Sequence, residues 1–246
     1  MKVTVVGYWH AYPEKGEAAS GYLIEEENYR VLIDCGSGVV AQLQYYCDLK
    51  ELDALVVSHY HNDHIGDLGA LHYFRLLQPY ISDEKIKPFT IFGHQDDKSG
   101  FAKLSYKDVV SASPYEAGQP VQIGPFTFSF YPTCHAVPCY AMKVETEKAA
   151  LFYTADTSYS ETLAQAAAGT DLLIAECSLY KGQDGKKAGH MNSEEAGRMA
   201  RTAKAPLLLL SHLPHFGDHQ QLAAEAAKEC PGTKVELASS GWQKNI

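Results

Sequence analysis

The 246 residues hold no Cys-x-x-Cys pair, no run of basic residues and no apolar stretch approaching the ~20 residues of a membrane span. Each absence excludes something. The six cysteines, Cys35, Cys47, Cys134, Cys139, Cys177 and Cys230, are scattered, and in a chain of this size they read as reduced, partly buried thiols of a cytosolic protein. Lys186-Lys187 and Lys85-Ile86-Lys87 come nearest to a basic patch, and both read as solvated loop. With 21 Lys and Arg against 30 Asp and Glu, the formal net charge is −9, so long nucleic acid is not an expected partner. Met1-Lys2 leads straight into Val3-Thr4-Val5-Val6 with no basic segment ahead of an apolar one, so no signal peptide and a cytoplasmic address are expected. The 46% hydrophobic content suffices for one sizeable core and fits a single large domain over 1–246 as well as two small ones.

What is present is histidine in a pattern. Ser58-His59-Tyr60-His61-Asn62-Asp63-His64 follows the apolar run Ala54-Leu55-Val56-Val57, and it places three of the eleven histidines and a carboxylate within six positions. Neutral imidazole and carboxylate are the ligands of catalytic zinc. His59 and His61 are two apart, so on extended backbone both project to one side and can share a metal. Asp63 and His64 come as the chain turns into the next segment and suit a second metal nearby. The spacing therefore suggests two metals.

The runs along the chain predict alternating strands and helices. Strands are expected at 2–8, 52–58, 88–93, 171–175, 206–210 and, as the last, 233–237. Paired runs are expected at 20–26 with 29–34, at 120–131 around Gly124-Pro125, and at 140–145 with 149–154. Helices are expected at 39–49, at 68–77 ending before Pro79, at 161–168, from an Asn192 cap to Lys204, and from 216 or 217 to Lys228. Residues 101–118 suggest a short helix and a strand. His72 reads as structural, His94 as part of a solvated turn and His219 as helix surface, while His10 and His215 are weaker pocket candidates.

Asp34, His59, His135, Asp156, Glu176 and His212 each stand at or just after the end of an apolar strand-like run. Carboxyl ends of strands are where layered α/β folds gather ligands and catalytic groups. Six such residues at six strand ends, one of them opening the histidine motif, point to a metal site.

The His-x-His-x-Asp-His motif with the later His135, Asp156 and His212 in order resembles the metallo-β-lactamase superfamily, over most of the chain from Asp34 to His212. That resemblance implies an α/β (α+β) fold, a four-layer αββα sandwich with the metals in a cleft at one edge. It implies that His59, His61 and His135 hold one metal, that Asp63, His64 and His212 hold the other, and that Asp156 bridges them. Asp34 would brace the metal loops from behind. The cofactors expected are two Zn²⁺ per chain, with Mn²⁺ or Fe²⁺ as alternatives. Gly189-His190-Met191-Asn192-Ser193 resembles the His-Ser-Thr-type motif of the zinc phosphodiesterase branch, so His190 is expected to protonate a leaving oxygen while Asp63 orients the nucleophile and accepts its proton. A metal-bridging hydroxide would then attack a phosphodiester. The order of motifs looks most like the ribonuclease Z-like branch, but His135 and Asp156 are only 21 positions apart, which leaves no room for the tRNA-gripping arm of that branch. A small, nucleotide-like or cyclic phosphodiester is therefore the expected substrate. The alternatives are a lactone or thioester hydrolase, a ribonuclease Z-like endonuclease of RNA 3′ ends, and a non-catalytic metal-binding sensor. A homodimer is compatible with the resemblance.

Overall fold

The computed structural model describes residues 1–81 and 87–246. Within them two mixed sheets form. The first contains β1 (Lys2–Gly7), β2 (Gly21–Glu26), β3 (Tyr29–Ile33), β4 (Ala54–Val56), β5 (Phe89–His94) and β6 (Val110–Tyr115), side by side in sequence order. The second contains β7 (Val121–Ile123), β8 (Phe126–Pro132), β9 (Tyr140–Glu145), β10 (Ala150–Tyr153), β11 (Leu172–Glu176), β12 (Leu207–Ser211) and β13 (Lys234–Leu237). A last strand, β14 (Gln243–Asn245), crosses back and pairs antiparallel with β1. In each sheet one half is antiparallel and the other parallel, the change falling at β3 and at β10.

The layering follows from strands that are apolar on both faces. Side chains alternate across a strand. Tyr22 and Ile24 of β2, Val31 and Ile33 of β3, and Ala54 and Val56 of β4 face the second sheet, where they join Phe128, Phe130, Val144 and Leu151. The intervening Leu23, Leu32 and Leu55 face outward and are covered by α1 (Val39–Leu43) and α3 (Leu68–Ile81) through Val39, Leu43, Leu68 and Leu71. On the far side α6 (Ser193–Ala203) and α7 (His219–Glu229) cover the second sheet with Ala196, Met199, Leu222 and Ala226. The result is the αββα sandwich. Short α2 (Asn62–Ile65), α4 (Lys98–Phe101) and α5 (Glu161–Ala166) complete the helices among the described residues.

Several expectations need correction. The helix over 68–77 does not stop at Pro79 but runs to Ile81. Its second half is held by Arg75, whose buried guanidinium donates to the carbonyls of Leu49 (3.1 Å) and Leu52 (2.6 Å) and lies 4.1 Å over Phe89. Those contacts outweigh one bond lost near a helix end. The helix expected over 39–49 ends at Leu43, because Asp48 caps a separate 3-10 turn at Leu49–Glu51 by accepting from the Lys50 amide. The strand 233–237 is not the last: β14 lies beyond it, polar and exposed, and its edge pairing leaves no apolar pattern to read. His94 is not in a solvated turn but buried, 4.6 Å from the Tyr60 ring and 5.1 Å from Tyr140, because β5 extends one residue into the aromatic layer between the sheets. His219 is half-buried at the start of α7, 2.6 Å from the Pro214 carbonyl and beside Trp9.

Of the two basic stretches, Lys186-Lys187 is exposed and Lys87 pairs with Asp53 at 2.8 Å, while Lys85 and Ile86 lie outside the described residues. All six cysteines are free, five of them buried. Among the described residues no helix is long and apolar enough to cross a membrane.

Candidate metal centre

The His59–His61 loop leaves the end of β4 and is anchored by its middle residue. The Tyr60 ring fills the space that Gly93 and Gly100 leave by lacking side chains, and its hydroxyl donates to the His94 carbonyl at 2.5 Å. With Tyr60 turned into the fold, His59 and His61 face the cleft. His61 stands at the N-cap position of α2, whose single turn carries Asp63 and His64.

Two groups of ligand atoms result. His59 Nε2, His61 Nδ1 and His135 Nε2 converge, with 3.1 Å between the first two and 3.3 Å between the last two. Asp156 Oδ2 stands 3.7 Å from His59 Nε2 and 3.8 Å from His135 Nε2. In the second group His64 Nε2 and His212 Nε2 lie 3.6 and 3.2 Å from Asp63 Oδ2 and 3.4 and 3.5 Å from Asp156 Oδ1. Asp156 thus presents one oxygen to each group. Within each group the ligand atoms all lie within 4.8 Å of one another, a spacing that a single ion can span.

The outward nitrogens of four of these imidazoles have partners, which sets their tautomers and aims them. His59 Nδ1 meets Ser58 Oγ at 3.1 Å, and His64 Nδ1 meets Asp34 Oδ2 at 2.7 Å. His135 Nδ1 meets the Gly189 carbonyl at 3.1 Å, and His212 Nδ1 meets Ser178 Oγ at 3.0 Å. Asp34 is the hub behind the cleft: it accepts from the Ser58 amide (2.7 Å), Ser58 Oγ (2.8 Å), Tyr153 Oη (2.9 Å) and His64. Asp34, Ala155 and His212 all have positive φ, an uncommon conformation for residues with a Cβ, and all three occur where a strand delivers a side chain to the cleft. Gly189 also has positive φ, and a Cβ there would stand 2.6 Å from His135 Cα.

His190 follows Gly189, and its Nδ1 lies 2.9 Å from Glu176 Oε1. The other oxygen of Glu176 accepts from Ser178 Oγ, also at 2.9 Å. One buried carboxylate at the end of β11 therefore orients His190 directly and the His212 imidazole through Ser178. His10 joins this edge, with Nδ1 3.2 Å from both Ser178 Oγ and His212 Nδ1. His215 does not reach the ligand groups. It stacks on Tyr12 and Trp9 at 3.8 and 4.9 Å and meets the His10 carbonyl at 2.8 Å, so it pins the loop that carries His10.

The charges in the cleft are sharply divided. Burial among other imidazoles pushes His59 well below the usual histidine range. Burial also lowers His135, more than Asp156 raises it. Burial would lower His64 too, but Asp156 and Asp34 outweigh it and raise the group well above its usual value. Burial opposes ionisation of Asp63 and Asp156, yet His212 and His64 overcome it and hold both carboxyls far down. Burial would also lower His190, but Glu176 raises it to about 9, with Asp156 and Asp63 adding to the effect. His10 is lowered to about 3 by burial and by the neighbouring His212 and His190.

The donor set fits divalent cations. His64 Nε2 and Asp156 Oδ1 are buried without any hydrogen-bond partner, a costly state unless a ligand satisfies them, and both point into the second group. Imidazole and carboxylate without thiolate suit Zn²⁺, Mn²⁺ or Fe²⁺.

The family described as the beta-lactamase superfamily domain matches residues 29–213. The chain belongs to the metallo-β-lactamase superfamily. Among superfamily members it is 44% identical over 242 residues to the Bacillus subtilis protein described as "Probable metallo-hydrolase YhfI", covering 98% of each chain. The crystal structure of YhfI superposes with a TM-score of 0.95 over 99% of this chain and 98% of that one, at 42% identity. Ribonuclease Z of Metallosphaera sedula is 22% identical, over 94% of each chain. The short form of human tRNase Z shares the superfamily fold, with a TM-score of 0.77 at 21% identity over 100% and 99% of the chains.

The structure brings all seven expected ligand positions together and sets His190 beside them. Sequence reasoning assigned no role to Glu176, Ser178 or Tyr153. Glu176 carried a usable signal, an acidic residue ending a wholly apolar strand. Ser178 and Tyr153 carried none, because serine beyond a strand and tyrosine within one are commonplace.

Proposed function

We propose that the chain hydrolyses a small phosphodiester, using two divalent cations, Zn²⁺ foremost. The broader class is plain: it is a metal-dependent hydrolase of the metallo-β-lactamase superfamily. His59, His61 and His135 would hold one cation and Asp63, His64 and His212 the other, with an oxygen of Asp156 for each. Cations bound there would make hydroxide available at neutral pH and would neutralise charge on phosphoryl oxygens.

The remaining work falls to side chains. Asp63, held ionised, accepts a hydrogen bond from the attacking water and orients it; its depressed pKa suits orientation better than proton storage. His190 gives Nδ1–H to Glu176, which leaves Nε2–H for the departing oxygen. One P–O bond to water oxygen forms, one ester P–O bond breaks, and the alcohol leaves with the His190 proton while the water proton passes to solvent.

The Glu176–His190 pair carries this reading. A proton held at about pH 7 beside the metal groups serves an alkoxide leaving group, whereas opening an activated lactone does not require it. A small substrate is supported by the short turn at 146–149 between β9 and β10 and by the net charge of −9. A cytoplasmic address and a homodimer belong to the same proposal, and light scattering tests the dimer.

The direct assay sets bis-p-nitrophenyl phosphate beside a simple lactone, on protein with its metal quantified. Diester turnover lost in His59→Ala supports the proposal. Lactone turnover alone moves the chain to the lactonase-like reading.

A further inference from the structure

Next to the ligand groups lies a cleft of about 350 Å³, large enough for a compact organic group. Leu179, Ala188, Pro214 and Phe216 give it carbon walls. His10 and His190 belong both to this lining and to the imidazole group they form with His212. The cleft is therefore continuous with the side of the centre where His190 stands.

Two features define what fits. The first is Phe216, 52% exposed although its backbone is fixed. Its carbonyl accepts from Tyr180 Oη at 2.9 Å, and the next residue, Gly217, takes positive φ directly against the Tyr180 ring. A large apolar ring held half in water by an anchored backbone is a platform for stacking. The second feature is charge. Among the described residues no lysine or arginine lines the cleft, and its one carboxylate is Asp184. Apart from His190, whose proton serves the departing oxygen, a second phosphate or a carboxylate would find no cation there and would meet the like charge of Asp184.

We propose that this cleft is the leaving-group subsite and that it takes an uncharged aromatic or heteroaromatic alcohol, stacked on Phe216. The inference rests on the phosphodiesterase reading. The alcohol departs from the oxygen that receives the His190 proton, so the group attached to that oxygen lies on the His190 side, which is where the cleft opens. Diesters whose leaving alcohol carries a further phosphate, as in a polynucleotide backbone, are disfavoured.

The test is steady-state kinetics on the metal-loaded enzyme with three methyl diesters. Their leaving groups are 4-nitrophenol, a 4-nitrophenol bearing a carboxylate, and methanol followed by a coupled assay. Phe216→Ala should raise KM about tenfold for the nitrophenyl diester, with kcat and metal content little changed and no effect on the dimethyl diester. Phe216→Trp should restore the low KM, and Asp184→Asn should improve the carboxylated diester. A nitrophenyl KM unmoved by Phe216→Ala, or a carboxylated diester handled as well as the neutral one, overturns the subsite while leaving the phosphodiesterase reading intact. Wild-type enzyme with full metal that turns over none of the three overturns both.

Discussion

The Glu176 carboxylate accepts from His190 Nδ1 at 2.9 Å and from Ser178 Oγ at 2.9 Å, so one buried side chain orients His190 directly and the His212 imidazole through Ser178. The pairing raises His190 to about 9, above the usual 6.5. The protonated form then persists through neutrality and is lost as pH rises through about 9. Activity on an unactivated diester should fall along that high-pH limb. In Glu176→Gln the limb should move down toward the ordinary histidine value. A pH–rate profile of both proteins at saturating metal reads the shift, and an unmoved limb removes Glu176 from the account.

A proton donor matters in proportion to how poor the leaving group is. His190→Ala should lower kcat by about 10²- to 10⁴-fold on a diester with an alkyl leaving group. On bis-p-nitrophenyl phosphate, whose leaving group is already stable as an anion, the loss should be much smaller. Metal content should not change. Equal losses on the two substrates would indicate that His190 acts by some other means.

Asp34 is fully buried and accepts from Ser58 twice, Tyr153 and His64. Asp34→Ala strands these donors in the interior. It should destabilise the fold by about 3 kcal/mol or more and weaken metal binding. Urea denaturation with and without chelator measures the two losses separately. A chelator-treated variant as stable as chelator-treated wild type would contradict the role of Asp34 in the fold itself.

Gly189 is the hinge between two imidazoles. Its carbonyl receives His135 Nδ1, its φ is +80°, and a Cβ would crowd His135 Cα at 2.6 Å. Gly189→Ala should displace His135 and His190 together, and a displacement near 1 Å is enough to cost about 10²-fold in turnover. Zinc titration of the variant should show one weakened site and one near normal, since Asp63 and His64 are carried by α2 and His212 follows β12, outside this loop.

Much of this arrangement could be read from the residues because it depends on local pattern. The motif from His59 to His64 is contiguous, and the Asn192 cap appears in the structure as a full capping box with Glu195. The parallel strands β11 and β12 are unbroken apolar runs. The parts that escaped depend on partners far away in sequence. His94 reads as a turn residue because nothing near it announces Tyr60 and Tyr140, which bury it. Pro79 reads as a stop because the anchoring of Arg75 at Leu49 and Leu52 is not a local signal. β14 has no apolar face at all and exists by pairing with β1. Glu176 was visible at its strand end, but its role became apparent only once β11 and the loop through Gly189 and His190 were seen to meet.

A two-metal centre that cuts phosphodiesters, as proposed, is tested most directly by counting metals beside turnover. Bound metal per chain is determined by elemental analysis alongside diester turnover, for wild type and for Asp156→Ala. Two metals per chain with diester turnover in wild type, and loss of both metal and turnover in the variant, is the predicted result. Wild-type protein that stays inactive and metal-free after incubation with Zn²⁺ or Mn²⁺ would contradict the account and favour a non-catalytic member of the superfamily.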